Sequence, residues 1–189
     1  MSTLMLQTAD GESLPCEIET AFDPMDDDAL FEFCARNKGL SIERTAKGEI
    51  VIRSPTGWEG GFNETAIGFQ LFAWAEKDGR GFAAGSTPGF LLADGSMRAP
   101  DASWILRERL AGVPRNQRKK FLPRAPDFVI EVRSESDSLG SLKRKMEEYR
   151  SNGVALGWLI DPLEKRVHVY GPGGTLEVLD SPATVIGSG

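Results

Sequence analysis

Between residues 127 and 160 a strand, an amphipathic helix and a second, wholly apolar strand follow one another with little chain to spare, and this order constrains the fold more than any other feature. The first stretch, "DFVIEVR" (127–133), holds Phe128, Val129, Ile130 and Val132, all good strand formers. From about Ser138 to Asn152, Leu139, Leu142, Met146 and Tyr149 recur at helical spacing, and Gly153 stands just past the end. "VALGWLI" (154–160) is too apolar for a strand with one wet face and reads as a central strand. A strand, a crossover helix and a returning strand make parallel neighbours, so the spacing predicts an α/β domain with these two strands side by side.

The same segment poses a chemical problem. Side chains alternate across a strand, so Asp127, Glu131 and Arg133 should project from one face of an otherwise apolar element. A buried carboxylate is expensive unless it is paired or bound to a metal. A second one, Asp101, lies in the strand-like "RAPDASWI". Mg²⁺ takes oxygen ligands, often one or two carboxylates with water and phosphate oxygens, so Asp101 and Glu131 could share such an ion, with the Val132 carbonyl as a third ligand. The residues alone equally allow a salt-bridged face in which Asp127 pairs with Arg133 and Glu131 with a lysine.

The remaining sequence narrows the function classes. At 189 residues the chain has the size of one domain, with no apolar run near a membrane-spanning length. Its N-terminus has neither a basic start nor an apolar stretch, so no signal peptide is expected. Cys16 and Cys34 lack CxxC spacing and read as reduced residues of a cytoplasmic protein. The one histidine, His168, alternates with Val167 and Val169 like a solvent-facing strand position, which leaves little room for Ser–His or Cys–His catalysis.

Net charge is −6, but its distribution is uneven. Residues 1–32 carry nine acids and no Lys or Arg; without them the 22 basic residues face 28 − 9 = 19 acids, a balance of +3. Residues 1–22 read as an acidic extension, and 23–189 as one domain. A basic loop within 106–124 contains Arg107, Arg109, Arg115, Arg118, Lys119, Lys120 and Arg124 against Glu108 alone. It is either a solvated face or a phosphate-facing patch.

Punctuation places the other elements. Asp23 as N-cap, Pro24 in the first turn and Gly39 beyond the end frame a first helix. "LSIERTAKGEIVIRS" reads as a hairpin turning at Lys47-Gly48, and a helix is expected over Glu59–Lys77. Strands are expected near 81–84, 89–93 and 97–105, and after the central strand at 165–170 and 175–179.

Taken in order, "RAPDASWI", "PDFVIEVRSESDSL", "KMEEYRSNGV" and "GWLIDP" resemble the "putative restriction endonuclease" family of bacterial hypothetical proteins, within the PD-(D/E)XK nuclease superfamily. The resemblance covers about Phe22 to Tyr170. It implies a restriction endonuclease-like core: a central mixed β-sheet flanked by α-helices, with an N-terminal helix and hairpin. Asp101 and Glu131 match the metal ligands of the pattern, Glu43 matches its upstream acid, and Lys145 matches a lysine displaced onto the following helix. Spacing alone does not choose Lys145 over Lys143, since the two flank opposite edges of the same apolar stripe.

What the resemblance implies is a Mg²⁺-dependent endonuclease cutting DNA, with Mn²⁺ as a substitute ion. Position 133 departs from the pattern: it is arginine, which does not give up a proton and can serve only as an electrostatic stabiliser. Asp127 is then a further ligand or the partner of Arg133. Arg115, Arg118, Lys119, Lys120 and Arg124 would track the DNA backbone. Cutting two strands takes two sites, so a homodimer belongs to the same expectation. The alternative is a nucleic-acid- or partner-binding module that keeps the nuclease fold without turnover.

Overall fold

Burying the apolar faces of the two longest helices requires a sheet between them, and the computed structural model shows one. It describes residues 25–53 and 55–186, together with two short paired strands, β1 (Met5–Gln7) and β2 (Ser13–Pro15). Cys16, the Asp23 cap, Pro24 and most of the acidic extension lie outside the described residues. Helix α1 (Asp27–Arg36) is capped instead by Asp26, whose carboxylate accepts from the Ala29 N–H at 2.8 Å.

Strands β3 (Ser41–Arg44) and β4 (Ile50–Arg53) form the expected hairpin. Gly48, at φ +84°, supplies its left-handed turn position. Helix α2 runs Trp58–Asp78 and ends on Gly79 at φ +71°. There follow β5 (Gly81–Ala84), β6 (Phe90–Leu91), β7 (Met97–Arg98), β8 (Ala102–Leu106) and the short helix α3 (Arg107–Ala111). The chain closes with β9 (Phe128–Val132), α4 (Leu139–Ser151), β10 (Leu156–Asp161), β11 (Arg166–Tyr170) and β12 (Leu176–Asp180).

Six strands form a mixed sheet in the order β12-β11-β10-β9-β8-β5, and β9 and β10 are its one parallel pair. Alternation on β9 divides the core. Val129 faces Leu142, Met146 and Tyr149 of α4, whereas Phe128, Ile130 and Val132 face Leu71 and Ala75 of α2. The chain is therefore α/β, with a mixed central sheet flanked by helices. No described helix is long and apolar enough to cross a membrane.

Two expectations need correction. The strand expected over 97–105 is two strands in different sheets: β7 joins a four-stranded sheet, β4-β3-β7-β6, while β8 joins the six-stranded one. The interruption is Ala99-Pro100-Asp101. Buried Pro100 has no N–H for a ladder, and the Asp101 carboxylate takes the Val132 N–H at 2.7 Å in place of a strand carbonyl. His168 is buried rather than on the surface, because it stands opposite Leu159 on the face of the sheet that α4 covers, where Tyr170 also lies. Among the described residues neither of its ring nitrogens has a hydrogen-bond partner, and burial pushes its pKa down.

At Gly81 a methyl group would stand 2.4 Å from the Ile105 carbonyl oxygen and as close to the Trp104 ring. Gly81→Ala is therefore expected to cost about 1–3 kcal/mol of unfolding free energy through overpacking against backbone, read by urea denaturation.

Candidate active site

The break between β7 and β8 is the seam between the two sheets, and polar chemistry collects there. Glu43 comes from β3, Asp101 from the bend before β8, Glu131 from β9 and Lys145 from α4. Extending the antiparallel Ala102–Ile130 register by one residue sets Asp101 opposite Glu131. Lys145 is one of four buried residues of α4, with Leu142, Met146 and Tyr149, so its ammonium crosses the apolar stripe to reach the strand. Its Nζ lies 2.8 Å from Glu43 Oε1 and 2.8 Å from Glu131 Oε1. Lys143 is half-buried and acts instead on His168.

Glu43 and Glu131, at 1 % and 0 % exposure, are both carboxylates without access to bulk water. Glu43 is fully engaged. Its Oε1 also accepts from the Ala99 N–H at 3.0 Å, and its Oε2 accepts from Arg98 at 3.2 Å and Arg53 at 3.4 Å. Arg98 in turn grips Glu148 through two bonds of 2.8 and 2.6 Å. Burial alone would push the Glu43 carboxyl up, but the charges of Lys145 and Arg53 outweigh it and hold the group at about 2.

Glu131 behaves differently. Its Oε1 accepts from both Lys145 and the Tyr149 hydroxyl, the latter at 3.0 Å, while the buried Oε2 has no partner among the described residues. Burial pushes the Glu131 carboxyl up further than Lys145 pulls it back, and the Glu43 charge adds to the rise. Asp101 is pushed up to about 8, first by burial and then by the Glu131 charge. Lys145 stays charged because the two glutamates overcome the effect of its burial. One ammonium thus serves three carboxyls, two of which are drawn toward their protonated forms: the site is short of positive charge.

A cleft of about 650 Å³ reaches this cluster at Asp101 and is lined by Arg53, Glu64, Val132, Ser134 and Asp137 among others. Arg53 also borders a second cavity of about 660 Å³ that reaches Lys145 from the side of Lys47, Arg98 and Arg144. Among the described residues no three His, Cys, Asp or Glu side chains could hold a metal ion by themselves.

The other candidate residues lie elsewhere. Arg133 follows the last residue of β9 and turns away from Glu131, placing its guanidinium 2.8 Å from the buried Asp161 and 3.6 Å from Glu164. Asp127 precedes the strand and pairs with Arg109, not Arg133, while also accepting from the Leu106 N–H at 2.8 Å. Within the basic segment, Arg118 donates to the carbonyls of Val113 and Ala111, and Lys120 pairs with Asp28 at 2.8 Å. Arg115, Lys119 and Arg124 have no ion-pair partner among the described residues. The sequence reading missed Arg53, Arg98 and the Tyr149 hydroxyl. Tyr149 carries a usable signal, since a tyrosine in the apolar stripe of a helix over a carboxylate-bearing strand must find a partner for its hydroxyl.

Comparison with known proteins fits this architecture. The family model described as "Uma2: Putative restriction endonuclease" matches residues 27–188. A solved structure of a protein from Anabaena variabilis, described as a "putative nuclease belonging to DUF820", superposes with a TM-score of 0.66 at 23 % identity, covering 79 % of this chain and 82 % of that one. No curated protein matches.

Proposed function

Because the chain belongs to the Uma2 family of restriction endonuclease-like proteins, we propose that it is a metal-dependent endonuclease hydrolysing phosphodiester bonds in DNA at the Glu43–Asp101–Glu131–Lys145 cluster. The observation that carries this reading is the unpartnered Oε2 of Glu131 beside a second carboxyl, Asp101, raised to about 8. A buried carboxylate oxygen without a donor is costly, and a cation would relieve both groups together.

Such an ion fits the donors present. Asp101 and Glu131 would hold it, and its remaining ligands would be water and phosphate oxygens, as suits Mg²⁺ or Mn²⁺. When bound, it would polarise the scissile phosphate and lower the pKa of water. The chain's own residues have separate tasks. Lys145, fixed by Glu43 and Glu131, presents positive charge where negative charge develops. Tyr149 holds one oxygen of Glu131, which leaves the other for the ligand. Arg53, open to both cavities, offers a guanidinium to a phosphate. Arg115, Lys119 and Arg124 are left as the members of the basic segment suited to the DNA backbone, since Arg118 and Lys120 are used within the fold.

Plasmid nicking with Mg²⁺ or Mn²⁺ tests the proposal. The wild type should cut and lose activity with EDTA, and Glu131→Gln should cut at least a hundredfold more slowly while remaining folded, since Lys145 keeps Glu43. A second reading, a DNA-binding module without turnover, is favoured by the absence of three clustered ligands among the described residues. DNA binding without nicking under either ion would decide for it.

A further inference from the structure

Helix α2 is apolar on two sides. Leu71 and Ala75 are buried against the six-stranded sheet. On the other side Trp58, Phe62, Phe69 and Phe72 are exposed by 87 %, 62 %, 72 % and 54 %. At 3.6 residues per turn those four positions fall within an arc of about 80°, and they run for about 21 Å along the axis. Scattered exposed apolar residues need no explanation, but four large aromatic rings in one row do. None of the four belongs to a core cluster among the described residues.

Charge limits what can cover the stripe. Glu59, Glu64, Glu76 and Asp78 lie on α2 against Lys77 alone, which disfavours nucleic acid and an anionic membrane surface. The two ends nevertheless differ. The N-terminal half carries Glu59 beside the stripe with no cation, while Glu64 faces the cleft. The C-terminal end gathers Lys77, Arg80 and Arg107, the last donating to the Gly79 carbonyl, against Glu76 and Asp78. An antiparallel copy of the same helix brings acid to base at both ends and opposes the two helix dipoles.

Area supports the same occupant. With 150–250 Å² per aromatic side chain, the exposed fractions amount to about 550 Å² per copy, or roughly 1,100 Å² for two, which clears the ~1,000 Å² expected of a biological interface.

We propose that α2 is a self-association surface, and that a second copy of this chain packs its own α2 antiparallel across the stripe of Trp58, Phe62, Phe69 and Phe72. A two-fold axis near the middle of the helix makes the patch complementary to itself. The same helix contributes Gly60 and Glu64 to the wall of the cleft at the candidate site, so pairing holds two clefts in a fixed relation. The proposal stands on the helix face and survives a failed nuclease test, because the measurement reads mass rather than cleavage.

The test is sedimentation velocity or light scattering on the full chain. The wild type should have a mass near twice 20.6 kDa at micromolar concentration. Phe69→Glu should reduce this to the single-chain mass with an unchanged far-ultraviolet circular dichroism spectrum. Trp58→Glu, at the most exposed ring, should do the same if Phe69→Glu folds poorly. Glu59→Arg should raise the dissociation constant at least tenfold, and adding Arg80→Glu should restore part of the loss. A monomeric wild type overturns the proposal. A dimer whose mass survives both glutamate substitutions also overturns it.

Discussion

Lys145→Ala should cost about 3–5 kcal/mol, because it leaves two carboxylates facing each other in the interior without the cation between them. Glu43 and Glu131 are 1 % and 0 % exposed, and each is 2.8 Å from the ammonium that would be lost. The pH dependence follows from Glu43. Its folded pKa, about 2, lies below its ordinary value of 4.5, so its stabilising contribution is present above pH 4.5 and disappears as pH falls toward 2. Lys145→Ala removes the main cause of that depression. The gap between variant and wild type should therefore be widest near neutrality and close through the acid range. Adding Glu131→Gln should recover a good part of the loss, since Glu43 keeps Arg98 and Arg53. Half-exposed Lys143, changed to alanine, should stay within about 0.5 kcal/mol of the wild type. Urea unfolding at several pH values reads all of these, and a loss below about 1 kcal/mol at pH 7 for Lys145→Ala would mean that the ammonium is not what neutralises the glutamates. Lost cleavage in Lys145→Ala is accordingly ambiguous between chemistry and folding, which makes Glu131→Gln the better probe of the reaction.

The parallel β9–β10 pair was legible because periodicity and apolar content change sharply between α4 and β10. Glu131 was legible for a related reason: a carboxylate inside an apolar strand announces an energetic cost that something must offset. Partner choice was not legible. Glu43 draws Arg98 from 55 positions away and Asp127 draws Arg109 rather than Arg133, and only tertiary structure determines such distances. The sequence offered Lys143 and Lys145 as equals, and the resemblance, not spacing, nominated the one that the structure buries. Pro100 was a missed signal, since a proline inside an apparent strand argues that the strand ends there. His168 shows the limit of alternation: a period of two separates the faces of a strand, but does not tell which face a helix will cover.

Asp101→Asn should stabilise the metal-free protein at alkaline pH and abolish its response to metal. The Asp101 carboxyl sits at about 8 in the folded chain, raised by burial and by Glu131, against 3.8 as its ordinary value. Between those values the folded form holds a proton that the unfolded form has lost, so this group's contribution to stability falls as pH rises from 4 to 8. Asparagine has no charge to accommodate, and its side-chain oxygen can still accept from the Val132 N–H. The variant should therefore match the wild type near pH 4 and exceed it by roughly 1–3 kcal/mol above pH 8, less than the full 1.36 kcal/mol per unit because the cleft admits solvent. Divalent metal should act in the opposite direction on the wild type. Ligation needs the ionised carboxylate, so Mn²⁺ or Mg²⁺ must displace the proton, and the rise in melting temperature at fixed metal concentration should grow from pH 6 to pH 8. Asp101→Asn should show a flat, near-zero metal response across that range. Thermal melts of both proteins with and without Mn²⁺ provide the comparison. A wild-type response independent of pH, or one that persists in Asp101→Asn, would place any bound cation away from this carboxylate and leave the Glu131 Oε2 atom without an explanation.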